Sequence, residues 1–190
     1  TNRLAQEFPQ QGFVTQTDGY DGSGALFQTT VHSPVTIEPY PGVYQVLNRK
    51  TVRTFYQDGG LAYTTEDDYE YDGYGNLVLH AGLGDPTRAE QAVYDCSTLE
   101  NDPAAWRLGY LTATKITGSE SSCRDFLATG EPAWTAGADL SLARITYDSR
   151  YNVRSQADWD DVNAVWVTSA MTYDGFGNVI TTTDPAGNTA

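Results

Sequence analysis

A seven-residue pattern occurs three times in this chain: YDGYGNL at 71–77, YDSRYNV at 147–153 and YDGFGNV at 173–179. Each copy opens on a Tyr-Asp pair (Tyr71 and Asp72, Tyr147 and Asp148, Tyr173 and Asp174). Three turn-type residues follow, then Asn76, Asn152 or Asn178, then Leu77, Val153 or Val179. Two residues before each Tyr stand Tyr69, Ile145 and Met171, and between them the polar Glu70, Thr146 and Thr172. Alternation of period two running into a turn predicts a β-hairpin, with turns centred at 73–75, 149–151 and 175–177. A chain that repeats this unit is expected to be all-β, built of antiparallel hairpins.

The residue types suit that geometry. Gly73, Gly75, Gly175 and Gly177 permit positive φ, and Gly75 and Gly177 are expected to use it. Replacement of Gly130 by Ala is expected to matter little. Asn tolerates the left-handed region, and Asp can accept from turn amides. Tyr combines strand preference with a polar tip. The middle copy replaces Gly-aromatic-Gly with Ser149, Arg150 and Tyr151.

The pattern resembles the YD repeat of the RHS family, which includes bacterial polymorphic toxins, the B components of insecticidal Tc toxin complexes and the animal teneurins. The likeness is carried by 143–190 and 67–118. Residues 1–60 add little to it. NDPAAWRLGYLTAT at 101–114 also looks like a Trp-containing turn near the start of the RHS region in Tc-type B components. The resemblance implies a curved β strip that forms part of a hollow shell. The implied function is a structural shell segment that encapsulates a C-terminal toxin polypeptide for secretion and delivery. Its partners would be the remaining RHS repeats of the parent chain and the enclosed toxin, and it would be secreted or at the cell surface. A different class of function is a carbohydrate-binding or adhesion module, in which exposed Tyr and Trp stack on a host glycan. RHS toxins self-cleave at a DPxG-containing motif, and 184–187 reads DPAG. Its context, TTT before and NTA after, is that of an ordinary repeat joint, so Asp184 is expected to be a turn residue.

Composition agrees with short strands joined by turns: Gly 18, Pro 8, Tyr 13 and Trp 4. The net charge of −14, with Lys plus Arg at 11, excludes a basic face for nucleic acid. No apolar run is long enough to span a membrane. Cys96 and Cys123 are 27 residues apart. A disulfide between them would contribute about 3–4 kcal/mol and point to an oxidising compartment; two unpaired buried thiols are the alternative.

Along the chain, residues 1–66 read as an N-terminal β region and 67–190 as the repeat region, with an insertion at about 82–142. TDGYDGSG at 17–24 has the composition of a calcium loop, but Asp18 and Asp21 are wrongly spaced, so a tight turn is the better reading. Strands are expected at Ala25–His32, before a stretch with Pro34, Pro39 and Pro41, at Val43–Tyr56, at Ala92–Cys96 and at Gly109–Gly118. QDGG at 57–60 reads as a hairpin turn. A short helix is expected near Asp102–Leu108, where Asp102 can cap and Pro103 can lead. Segment 118–142 reads as loose. Tyr94-Asp95 is the one candidate for a degenerate copy between the first two. The chain begins with Thr, and the last copy ends one strand past its turn. It is therefore expected to be a piece of a longer protein, with Val179–Thr183 as an open edge.

No catalytic set is found. His32 and His80 lie in no motif, and the acids Glu66, Asp67, Asp68 and Asp158, Asp160, Asp161 sit beside turns, where charge is usually solvated. The expectation is a non-enzyme with no cofactor and no metal.

Overall fold

The computed structural model describes residues 1–85 and 92–190. Apart from one α-helix and one 3₁₀ turn among those residues, the fold is all-β and antiparallel, with each sheet left open. The chain divides into two compact units, Thr1–Tyr94 and Asp95–Ala190. The first contains β1 (Asn2–Leu4), β2 (Val14–Tyr20), β3 (Leu26–Tyr40), β4 (Val43–Gln57), β5 (Gly60–Tyr71) and β6 (Leu77–Gly84), each paired with its neighbour in sequence. Its longest hairpin, β3–β4, aligns Val31 with Val52 and Thr29 with Thr54, and turns at Pro41-Gly42. β3 does not stop at His32 as expected. It runs on through Pro34 and Pro39, because both lie where the register shifts, between Ser33 and Pro34 and between Ile37 and Tyr40. There a missing N–H breaks no regular ladder bond.

The second unit holds most of β7 (Val93–Asp102), then β8 (Arg107–Thr117), α1 (Glu120–Thr129), β9 (Asp139–Tyr147), β10 (Val153–Asp160), β11 (Val165–Tyr173) and β12 (Val179–Thr183). β8 to β12 pair in chain order. The helix expected near Asp102–Leu108 is a 3₁₀ turn, Pro103–Ala105. Asp102 accepts from the Ala105 amide, and Trp106 closes the turn in the left-handed region at φ 55°. Tyr94-Asp95 lies inside β7 and makes no turn.

Segment 118–142 is not loose. It contains α1, whose Ser119 side chain caps the Ser122 amide and whose Gly130, at φ 70°, closes the helix with its N–H on the Phe126 carbonyl. Gly130 is therefore a helix C-cap, and the expectation that Ala is tolerated there is corrected. The helix escaped the periodicity reading because it is only ten residues long and buries only Cys123 and Phe126.

The core is thin. Buried apolar residues are Leu79 and Ala81 in the first unit and Cys96, Ala113, Cys123, Phe126, Leu142 and Ala157 in the second. A single sheet layer cannot bury its own faces, so most strand side chains stay half-exposed. Burial in the second unit gathers where α1 lies on β8.

Candidate functional site

The three sequence copies share one turn. In the first, the Asp72 amide donates to the Asn76 carbonyl (2.9 Å) and the Gly75 amide to the Asp72 carbonyl (3.1 Å). The Asp72 carboxylate accepts from the amides of Tyr74 and Asn76 and from Asn76 Nδ2, each at 2.9 Å. Asp148 takes the corresponding bonds from Arg150 and Asn152, and Asp174 from Phe176 and Asn178. The fifth position is left-handed in every copy: Gly75 at φ 87°, Tyr151 at 65°, Gly177 at 86°. Gly73 and Gly175, at the third position, are not. The side-chain amide of Asn152 or Asn178, then backbone amides, hold the Asp148 and Asp174 carboxyls below the ordinary carboxylate range.

Two further turns have this geometry. The first, YDGSGAL at 20–26, overlaps the TDGYDGSG stretch at 17–24, whose sequence predicts only a tight turn. There Asp21 accepts from the amides of Ser23 (2.8 Å) and Ala25 (2.9 Å), and Gly24 is at φ 84°. At TDPAGNT, 183–189, Asp184 accepts from the Asn188 amide and Nδ2, both at 2.8 Å, with Gly187 at φ 86°. Asp184 is a turn residue. Thr183 bridges to Thr189, as Tyr20 pairs with Leu26, Tyr71 with Leu77, Tyr147 with Val153 and Tyr173 with Val179. The signal that finds the 20–26 copy is Tyr-Asp followed by Gly at position five. That copy carries Ala25 at position six, where the other copies have Asn.

The tyrosines do more than pack. The β4–β5 ladder ends at Lys50 with Asp68, β8–β9 at Ala113 with Arg144, and β10–β11 at Ser155 with Ala170. Beyond that pair the strands part. In each case the repeat Tyr lies three residues past the last pair. Its hydroxyl donates back to the carbonyl two residues past it on the preceding strand. These bonds are Tyr71 to Asn48, Tyr147 to Leu111 and Tyr173 to Val153, all at 2.8 Å. The hydroxyl thus supplies the donor that the missing ladder bond would have given, so a carbonyl at a splayed strand end is not left unpaired. Burial pushes the Tyr71 and Tyr147 hydroxyls above their usual pKa.

The middle copy's departures from the pattern link it to other turns. Tyr151 donates to Glu100 (3.2 Å) and lies under Arg107 (4.4 Å to the ring), while Arg150 Nη1 donates to the Asp174 carbonyl (2.9 Å). In the first unit Tyr74 packs near Tyr40.

Elsewhere, Cys96 and Cys123 are joined, their Cα atoms 5.9 Å apart. Beneath α1, Lys115 Nζ lies 2.9 Å from both the Asp139 carboxylate and Ser122 Oγ. Burial raises the Asp139 carboxyl, but Lys115, the Thr135 amide, Thr117 and Ser122 together hold it below its ordinary value. Of the acids singled out in the sequence, Glu66 pairs with Lys50, Asp67 with Arg53 and His80, and Asp160 caps the Val162 and Asn163 amides. His80 stacks on Tyr69 and His32 Nδ1 faces Thr51 Oγ1 at 3.2 Å. Trp159 and Trp166 meet edge to face, with Arg144 over the Trp166 ring. No described helix is long and apolar enough to cross a membrane.

These features define an open antiparallel sheet whose hairpins are closed by a repeated Asp-capped, Tyr-anchored turn. No family model matches the chain. No curated protein matches it either. Among solved structures it is similar to Tc toxin assemblies. The Photorhabdus luminescens Tc holotoxin pore with a TccC3 mutation aligns over 94% of this chain and 9% of that one, at 14% identity and TM-score 0.30. A TcdB2–TccC3–Cdc42 crystal structure aligns over 96% and 10%, at 14% identity and TM-score 0.32. A TcdB2–TccC3–TEV structure aligns over 97% and 11%, at 14% identity and TM-score 0.27. The chain spans about a tenth of the length of the solved structures it matches.

Proposed function

We propose that this chain is a shell segment of an RHS-type YD-repeat protein, forming part of a wall that encloses a C-terminal toxin polypeptide for secretion and delivery. The observation that carries the reading is the recurrence of one turn, Asp-capped in five places and anchored by a tyrosine hydroxyl in three. Such a unit extends a sheet by one hairpin at a time and resolves the same splayed strand end at each step. Hairpins paired side by side within each unit, with few residues buried, are suited to a wall rather than to a globule with a core of its own. The aspartates of the repeated turns, with Glu66 and Asp67 of the β4–β5 ladder, are committed to backbone amides and cations, which gives chemistry at these groups little support. Repeat partners on the same polypeptide and an enclosed polypeptide follow from this reading.

The test is to determine the coding sequence on either side of residues 1 and 190, then to express the protein it encodes and digest it with protease. Further Tyr-Asp turns and a protease-resistant C-terminal polypeptide are the expected result. Flanks without repeats, or a C-terminal region cut as fast as a free peptide, would overturn it. A glycan array separates the adhesion reading, because a wall segment should give no signal.

A further inference from the structure

The 118–138 excursion between β8 and β9 is a closed unit. Its base is pinned where the Gly118 amide and Thr117 Oγ1 both donate to the Ala138 carbonyl, at 2.8 and 3.0 Å. It carries α1, which lies on β8. Only Cys123 and Phe126 of the helix are buried. A helix of ten residues is too short to be stable in water without tertiary support.

What lies beneath it is a charge pair. Lys115 on β8 and Asp139 at the start of β9 have side chains 4% and 0% exposed. Both belong to the sheet, so they stay together if α1 lifts, and water then reaches them. Burying an ion pair carries a desolvation penalty that opening relieves. The bonds lost on lifting are those of Ser122 to Lys115 and Asp139 and that of the Thr135 amide to Asp139, and water can replace them. The pair therefore loads the helix toward opening, while Phe126 and the covalent tie from Cys123 to Cys96 hold it down.

We propose that the 118–138 excursion is a redox-conditioned flap: the Cys96–Cys123 disulfide holds α1 shut over the Lys115–Asp139 pair, and reduction releases it. In the reducing step a thiolate of an external dithiol attacks one sulfur and the other leaves as a thiolate that takes a proton. The dithiol's second thiolate then attacks the dithiol sulfur of this mixed disulfide and expels the attacked cysteine as a thiolate, which takes the second proton. The chain gains two electrons and two protons, and the dithiol becomes its own disulfide. Both cysteines are 0% exposed, so attack waits on transient lifting of α1. The flap is shut in oxidising surroundings and open after residence in reducing ones. This rests on the second unit alone and is independent of the shell role.

The test is hydrogen exchange on the 190-residue chain. It compares wild type before and after dithiothreitol, with free thiols counted, and Cys96→Ser/Cys123→Ser without reductant. Amides of 120–130 should exchange about tenfold faster or more when the tie is absent, while those of 143–173 keep their protection. Adding Lys115→Met/Asp139→Asn to the serine variant removes both charges while the Asn side chain keeps an acceptor for the Thr135 amide, and should restore protection at 120–130. Unchanged protection with both thiols free would overturn the proposal. So would loss of protection across β9 to β11, failure of the serine variant to fold, or failure of the uncharged pair to restore closure.

Discussion

At the residue scale, one carboxylate and one hydroxyl organise each hairpin end, and their roles separate in mutants. Tyr71→Phe keeps the ring and removes the donor to Asn48. It should cost about 1 kcal/mol, since a half-buried carbonyl loses its partner. Tyr63→Phe is the control: Tyr63 stacks on Phe55 at 4.4 Å and stands outside the repeat, so it should change stability by only a few tenths of a kcal/mol. Equal losses in urea titrations would show that ring packing carries the Tyr71 effect. Glycines divide in the same way. Gly75→Ala and Gly177→Ala meet positive φ, and at Gly75 an added Cβ also lies 1.8 Å from Gln45 Oε1. Each should cost about 1 kcal/mol or more, while Gly73→Ala and Gly175→Ala should be nearly neutral. Chemical denaturation of the four variants decides it.

At the element scale, hairpins were legible because period-two alternation and turn chemistry act over fewer than ten residues. β4, the 57–60 turn and the strand parts of β7 and β8 follow from that. Elements decided by distant partners were not. β3 continues through Pro34 and Pro39 because β4 shifts register opposite them, and no local pattern shows a partner's register. α1 exists because β8 offers a surface for Phe126 and β7 a sulfur for Cys123. Its local signs, Ser119 before it and Gly130 after it, were present but enclosed too few apolar residues to stand out. The donor role of the repeat tyrosines was equally hidden, since it depends on where each ladder ends. For the buried pair under α1, Asp139→Ala leaves the Lys115 ammonium enclosed without a counter-charge and should cost about 3 kcal/mol. Replacing both by Met and Leu should cost far less. Thermal melts of the single and double variants measure the difference, and equal losses would deny the coupling.

At the scale of the whole molecule, stability is spread over many exposed turns and one covered patch, which makes its response to acid and to reductant distinct. The carboxyls of Asp21, Asp148, Asp160, Asp174 and Asp184 are lowered first by a side-chain donor of their own turn, and Asp139 is lowered overall. A lowered folded pKa means the unfolded chain binds more protons. This stability is therefore complete above the ordinary Asp value of about 3.9 and is lost as pH falls through the folded values. Melting points should be level from pH 7 to about 5 and fall below that. A rise on acidification would contradict the cap assignment. Reduction acts elsewhere, because Cys96 and Cys123 both lie within Asp95–Ala190 and Thr1–Tyr94 holds no cysteine. The tie constrains the unfolded chain of one unit only, by about 3–4 kcal/mol. Calorimetry should resolve two transitions, of which dithiothreitol lowers one and leaves the other in place. A single transition moving as a whole would show that the two units unfold as one, and that the tie supports both of them rather than the second alone.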